Sequence, residues 1–240
     1  MNYLSKKPIP VGDRLIFALD VPDAAEAMRL VDLLGDTVRF YKIGLELFMA
    51  GGYYELIQWM VEKKGKKVFA DLKFFDVPET VRRAVRQLRG RGVTFTTVHG
   101  NDGILRAAVQ EKGDLKILAV TVLTSLDQGD VEDLGFAVDI ERLVLSRARR
   151  AIDIGCDGVI SSGIEAPKLR EHLGEHFLVI TPGIRPVINK PADDQKRTVD
   201  IEEAFRNGAD YIVVGRPIKQ APDPAMAAQE IQARIARLFQ

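Results

Sequence analysis

Eight short apolar runs, alternating with amphipathic helical patterns over 240 residues, predict a single-domain α/β protein built as a (β/α)8 (TIM) barrel across residues 1–240. Three observations carry this expectation. The runs are apolar nearly throughout rather than alternating, as strands covered on both faces require. Eight strand–helix units suit a chain of this length, and 46% hydrophobic content is enough for a full core. A doubly wound open sheet would usually show a glycine-rich turn after its first strand, but the turn here, Asp20-Val21-Pro22-Asp23, has no glycine.

In order, the strands are expected at residues 15–20, 40–45, 68–73, 94–99, 117–123, 158–162, 178–182 and 211–215. Helical periodicity fills the gaps, clearest over Ala24–Leu34, 53–64, 80–89 and Ile140–Ile154. In the third unit, Val68-Phe69-Ala70 reads as a buried strand, Pro78 ends it, and Glu79-Thr80-Val81 opens the next helix. A last helix over Pro224–Leu238 closes the barrel.

Thirty-four basic and thirty-four acidic side chains give a formal charge of zero, which argues against nucleic acid or an anionic membrane as partner. The basic runs Lys63-Lys64-Gly65-Lys66-Lys67 and Arg147-Ala148-Arg149-Arg150 are expected to be solvated helix faces and ends. The single cysteine, Cys156, forms no intrachain disulfide or thiolate metal cluster and reads as a small packing residue. Residues 1–10 lack an apolar stretch of signal-peptide length, and no segment approaches a transmembrane span, so a cytoplasmic protein is expected.

Barrel chemistry gathers at the C-terminal ends of the strands, so those ends locate the function. The third strand ends in Asp71-Leu72-Lys73-Phe74-Phe75-Asp76-Val77-Pro78. Asp71 and Lys73 share one strand face, their Cα atoms roughly 6.5–7 Å apart. An acid and a base at a buried strand end either form a structural ion pair or do chemistry. Asp20 ends the first strand, Lys42 lies on the second, His99 ends the fourth, and Thr124-Ser125 follow the fifth. His99 either contacts ligand or supports a residue that does. The seventh and eighth strands end in Thr181-Pro182-Gly183-Ile184-Arg185 and Val214-Gly215-Arg216-Pro217. Glycines that let backbone N–H groups approach, with arginines beside them, suit a phosphate. The polar connection 186–198 is longer than most βα loops and is expected to act as a lid, the alternative being a passive exposed loop. His172 and His176, interrupted by Gly174 and lacking a third ligand, suggest no metal.

Taken together, Asp-x-Lys-x-x-Asp-x-Pro, Ala-Leu-Asp, Lys-x-Gly, Val-Thr-Val-Leu-Thr-Ser, Thr-Pro-Gly-Ile-Arg-Pro and Val-Gly-Arg-Pro resemble the orotidine 5′-phosphate decarboxylase family over nearly the whole chain. Asp193 replaces the glycine expected in a Gly-Asp-Gln turn, and Gly100-Asn101-Asp102-Gly103 varies on Ala-x-Gly-Gly. The resemblance implies cofactor-free conversion of orotidine 5′-phosphate to UMP and CO₂, the last step of de novo pyrimidine (UMP) biosynthesis. It implies Lys73 as proton donor to C6, beside Asp71, with Lys42 and Asp76 completing an alternating charged array. Asp20 and Lys42 match ribose contacts; Thr124 and Ser125 match the pyrimidine edge. Arg185, Gln195, Gly215 and Arg216 match the substrate phosphate region. It also implies a homodimer in which Asp76 and Thr80 enter the neighbour's site. Two rivals differ in kind. A metal-dependent sugar-phosphate lyase or decarboxylase on a related barrel would carry a carboxylate where this chain has Lys42. A non-catalytic phosphate-binding protein would not need the charged array.

Overall fold

The computed structural model describes residues 2–185 and 198–240. Eight strands close into one barrel in chain order, each parallel to its neighbours. They are β1 (Leu15–Ala18), β2 (Phe40–Ile43), β3 (Lys67–Phe74), β4 (Val93–His99), β5 (Lys116–Val120), β6 (Gly158–Ile160), β7 (Leu178–Thr181) and β8 (Tyr211–Val214). The helices around them are α1 (Ala24–Leu34), α2 (Leu45–Ala50), α3 (Tyr53–Gln58), α4 (Pro78–Leu88), α5 (Asp102–Glu111) and α6 (Gln128–Asp133). They continue as α7 (Ile140–Ile154), α8 (Ala166–Leu173), α9 (Ile201–Arg206), α10 (Arg216–Lys219) and α11 (Pro224–Leu238).

Strand alternation sorts the side chains into two cores. Leu15, Phe17, Tyr41, Val68 and Ala70 face outward and pack with helix residues such as Leu30, Val31 and Val85. Ile16, Ala18, Phe40, Phe69, Phe95 and Leu118 face inward and fill the barrel. Phe40 and Phe95 lie 5.0 Å apart, and Tyr211 meets both edge-on at 5.9 and 5.3 Å. Two residues further along the same inward positions come Asp20, Lys42, Asp71 and Thr97. The barrel interior therefore changes from apolar to charged at one end, by strand parity alone.

Helices α1, α7 and α11 have the limits their periodicity predicts. Each begins at an aspartate cap: Asp23 accepts from the Glu26 N–H, Asp139 from those of Glu141 and Arg142, and Asp223 from that of Met226. The helix expected over 53–64 is α3 followed by a π turn, Trp59–Lys63. Several strands stop short of the apolar runs that predict them. Leu19 and Val122, which follow β1 and β5, lie beyond the strands but stay buried in the outer core, and the Leu19 N–H still donates to the Lys42 carbonyl at 2.9 Å. Strand β3 does the opposite and continues to Phe74 through a bulge, while Pro78 becomes the first residue of α4.

The opposite end of the barrel is a floor built on Asp210, which is fully buried. Its carboxylate accepts from Ser5, from Lys7 at 2.9 Å, from Arg170 at 2.8 Å and from the Val179 N–H at 3.0 Å. Arg170 also donates to the carbonyls of Gly208, Gly174 and Phe177. Ile9, from the same N-terminal arm, packs against the inner core. The basic runs are not simply solvated: Lys66 is buried and donates to the Gly35 carbonyl at 2.7 Å, Lys67 pairs with Asp13 at 2.6 Å, and Arg147 turns inward.

Candidate active site

The charged end of the barrel opens into a cavity of about 440 Å³. Asp20, Lys42, Asp71 and Lys73 line it from β1, β2 and β3; Thr124 and Ser125 from the loop after β5. Gly183 and Arg185 line it after β7, and Gly215 and Arg216 after β8. Nine predicted site residues thus meet at one mouth: Asp20, Lys42, Asp71, Lys73, Thr124, Ser125, Arg185, Gly215 and Arg216. Gln195, and the expected lid with its Asp193, lie outside the described residues.

Asp71 is the hub. Lys73 Nζ donates to its Oδ2 at 2.9 Å, Lys42 Nζ lies 3.5 Å from the same oxygen, and Lys42 also bonds Asp20 at 3.0 Å. Burial alone would push the Asp71 carboxyl up. Lys42 first, then Lys73 and the hydrogen bonds from Lys73 and Thr97, outweigh it and hold the group below the usual carboxylate range. The reverse holds at Lys42, where burial would lower the ammonium but Asp71 and Asp20 keep it above the usual lysine range. Asp71 and Lys42 are therefore both charged, and the two lysines keep donor capacity that faces the cavity.

The backbone carrying Lys73 is unusual. Between the pairs Ala70↔Thr96 and Phe74↔Val98, β3 spends more residues than β4. Among the described residues Lys73 is the one non-glycine with a positive φ, 47°. Such strain costs about 1–3 kcal/mol and persists where the surroundings enforce it, most often at functional sites. Here the Lys73 N–H donates to Thr97 Oγ1 at 2.9 Å, and the Thr97 hydroxyl donates to Asp71 Oδ1 at 2.8 Å.

Two predicted site residues do not join the cavity of their own barrel. Asp76 is exposed, its carboxylate accepting from the adjacent Val77 N–H at 2.6 Å, and Thr80 is exposed in the first turn of α4. Phe75 and Val77, either side of Asp76, are large apolar residues 69% and 62% exposed. His99 does not line the cavity. Its ring lies 5.2 Å from Phe75 and its buried Nδ1 has no hydrogen-bond partner among the described residues. Burial, then Arg147 and Lys73, pushes its imidazole down, so it is neutral near pH 7.

Sequence reasoning missed three residues. Thr97 could have been found by strand parity, two positions after the inward Phe95. Lys219, which lines the cavity and donates to the Asp20 carbonyl, stands one helical turn after Arg216. Arg147, assigned by its basic neighbours to solvent, donates to the Thr121 carbonyl at 2.7 Å beneath the Thr124–Ser125 loop. Among the described residues, no three His, Cys, Asp or Glu side chains are grouped to hold a metal ion, and no helix is long and apolar enough to cross a membrane.

A family model described as "Orotidine 5'-phosphate decarboxylase / HUMPS family" matches residues 13–231. The chain is 64% identical to the orotidine 5'-phosphate decarboxylase of Methylococcus capsulatus over 238 residues, covering 99% of this chain and 98% of that one. It is 48% identical to that of Xanthomonas euvesicatoria over 236 residues, 97% of this chain and 96% of that one. The crystal structure of orotidine 5'-phosphate decarboxylase from Lactobacillus acidophilus superposes with a TM-score of 0.81 at 35% identity, covering 93% of this chain and 99% of that one. Barrel, charged array and relatives agree, and the chain belongs to the orotidine 5'-phosphate decarboxylase / HUMPS family.

Proposed function

We propose that this chain is a carboxy-lyase that converts orotidine 5′-phosphate to UMP and CO₂, with no cofactor, in one catalytic barrel domain spanning residues 1–240. The observation that carries the mechanism is Asp71 held between Lys42 and Lys73 at the mouth of an arginine-bordered cavity. Breaking the bond from C6 to the carboxylate leaves the electron pair on C6 and releases CO₂. No carbonyl of the pyrimidine is placed to delocalise that pair, so a fixed cation must stabilise it. The Lys73 ammonium serves the developing carbanion and then transfers its proton to C6; the neutral amine recovers a proton from solvent. Asp71 disfavours the substrate carboxylate beside it and keeps Lys73 aimed, its charge balanced by Lys42.

The rest of the mouth binds. Asp20 and Lys42 take the ribose, Thr124 and Ser125 the pyrimidine edge. Arg185, Gln195, Gly215 and Arg216 take the phosphate, whose binding energy is spent on the transition state. Asp76 and Thr80 complete the neighbour's array in a homodimer. Their outward placement, with Asp76 between exposed Phe75 and Val77, supports this reading. The dimer is cytoplasmic, and neither nucleic acid nor membrane is a partner, in keeping with a formal charge of zero. The metal-dependent rival is disfavoured by Lys42, whose ammonium occupies the place a metal-binding carboxylate would need and already bonds Asp71 and Asp20.

The deciding experiment is UMP formation from orotidine 5′-phosphate with and without EDTA. Equal rates are expected. Activity that returns only on adding Mg²⁺ would transfer the chain to the metal-dependent sugar-phosphate lyases and decarboxylases, and none under either condition would leave a binding protein.

A further inference from the structure

On the decarboxylase reading above, we propose that Thr97 is a positioning residue for the reaction: its one hydroxyl locks the strained backbone of Lys73 to the carboxylate of Asp71. The bulge makes this necessary. Asp71, Leu72 and Lys73 fall between the registered pairs Ala70↔Thr96 and Phe74↔Val98, where β4 offers only Thr97. The backbone ladder is broken there, and a buried N–H left without an acceptor is costly. The Lys73 N–H takes the Thr97 side chain instead.

The direction of each bond is forced. The Lys73 N–H can only donate, so Thr97 Oγ1 accepts from it. Ionised Asp71 can only accept, so the single hydroxyl hydrogen points at its Oδ1. Thr97 is 0% exposed, and no solvent competes for either bond. On the other face of β4, Thr96 Oγ1 donates to the Ala70 carbonyl at 2.8 Å, pinning the start of the bulge. Two consecutive threonines thus hold the bulge, and the inward one determines where the array sits. A bond from Lys73 Nζ to Asp71 alone would leave a flexible side chain to wander; the Thr97 bond fixes the backbone from which that side chain springs.

Valine is the decisive replacement, since it keeps the shape of threonine and its strand preference and removes only the hydroxyl. Thr97→Val should lower kcat by about 100-fold, the scale of an ångström-level misplacement. KM for orotidine 5′-phosphate and the affinity for UMP should stay near wild type, while the thermal midpoint falls modestly because the Lys73 N–H and Asp71 each lose a buried partner. Thr97→Ser, which restores the hydroxyl, should recover kcat to within a few-fold. A kcat for Thr97→Val near wild type, or serine as impaired as valine, overturns the proposal. So does a kcat loss matched by equal losses of UMP affinity and thermal midpoint, which marks a general structural role. Should the valine protein not fold, Thr97→Ser and Thr97→Cys make the same comparison, serine active and cysteine not. Wild-type enzyme assayed alongside separates the two ideas: if it forms no UMP, the decarboxylase reading fails; if it does, the variants judge Thr97.

Discussion

The two ends of the barrel carry the same motif, a buried aspartate between two cations, with opposite consequences. On the floor, Asp210 is gripped by Lys7 and Arg170, and Arg170 spends its remaining donors on backbone carbonyls. At the mouth, Asp71 is gripped by Lys42 and Lys73, but the cations border a cavity and Lys73 stays 36% exposed on a strained backbone. Burial of charge does not by itself announce chemistry. Donors held in place but left unspent, with room in front of them, do.

Lys73→Ala should break this contrast most severely. Turnover should fall by at least about 10⁴-fold as both the proton donor and the carbanion's cation disappear, while the protein still folds and binds UMP. Near-normal decarboxylation would remove Lys73 as donor. The same variant tests the shared site. Mixed with an inactive Asp76→Ala protein under conditions of subunit exchange, it should regain activity toward half that of wild type per heterodimer. Exchange without recovery would keep Asp76 in its own barrel.

The floor should answer differently. Asp210→Ala leaves the buried Arg170 uncompensated and should cost about 3–5 kcal/mol in denaturant unfolding, with kcat of the folded protein unchanged. A fall in kcat without a loss of stability would show that the floor reports to the mouth. Smallest is Arg216→Ala, which should weaken binding of UMP by about 1.5–3 kcal/mol, the worth of charged hydrogen bonds, and leave uridine nearly untouched. Equal losses for both ligands would free Arg216 from the phosphate.

Most of this mouth was legible in the sequence, because strand parity and barrel polarity are strong constraints. Once residues 68–73 read as a strand of a parallel barrel, Asp71 had to face in and Asp20 and Lys42 had to lie near it. Helix limits over Ala24–Leu34, Ile140–Ile154 and Pro224–Leu238 were legible because helical periodicity is a local signal. The bulge was not. It depends on β4 falling out of register with β3, a relation between segments some twenty residues apart that no local pattern records. Thr97 was hidden for a related reason, since threonine in a strand is ordinary and only the partner across the ladder gives its hydroxyl a task. Arg147 was misread because its neighbours Arg149 and Arg150 are exposed, while its own position, roughly 200° around the helix from Arg149, turns it inward. The floor escaped notice because its partners are scattered along the chain.

That scatter sets an order of events in synthesis. Ser5 and Lys7 emerge from the ribosome long before their acceptor, which lies 205 and 203 residues later. The seam between β1 and β8 waits equally long. Loop-closure entropy grows only slowly with length, so the wait adds little to the thermodynamic cost of closing the ring. What it adds is time: until residue 210 has been made, Ser5 and Lys7 lack their carboxylate acceptor, and Ile9 and the inner face of β1 stay without their last neighbours. The same contact that seals the finished barrel is therefore one the nascent chain cannot make.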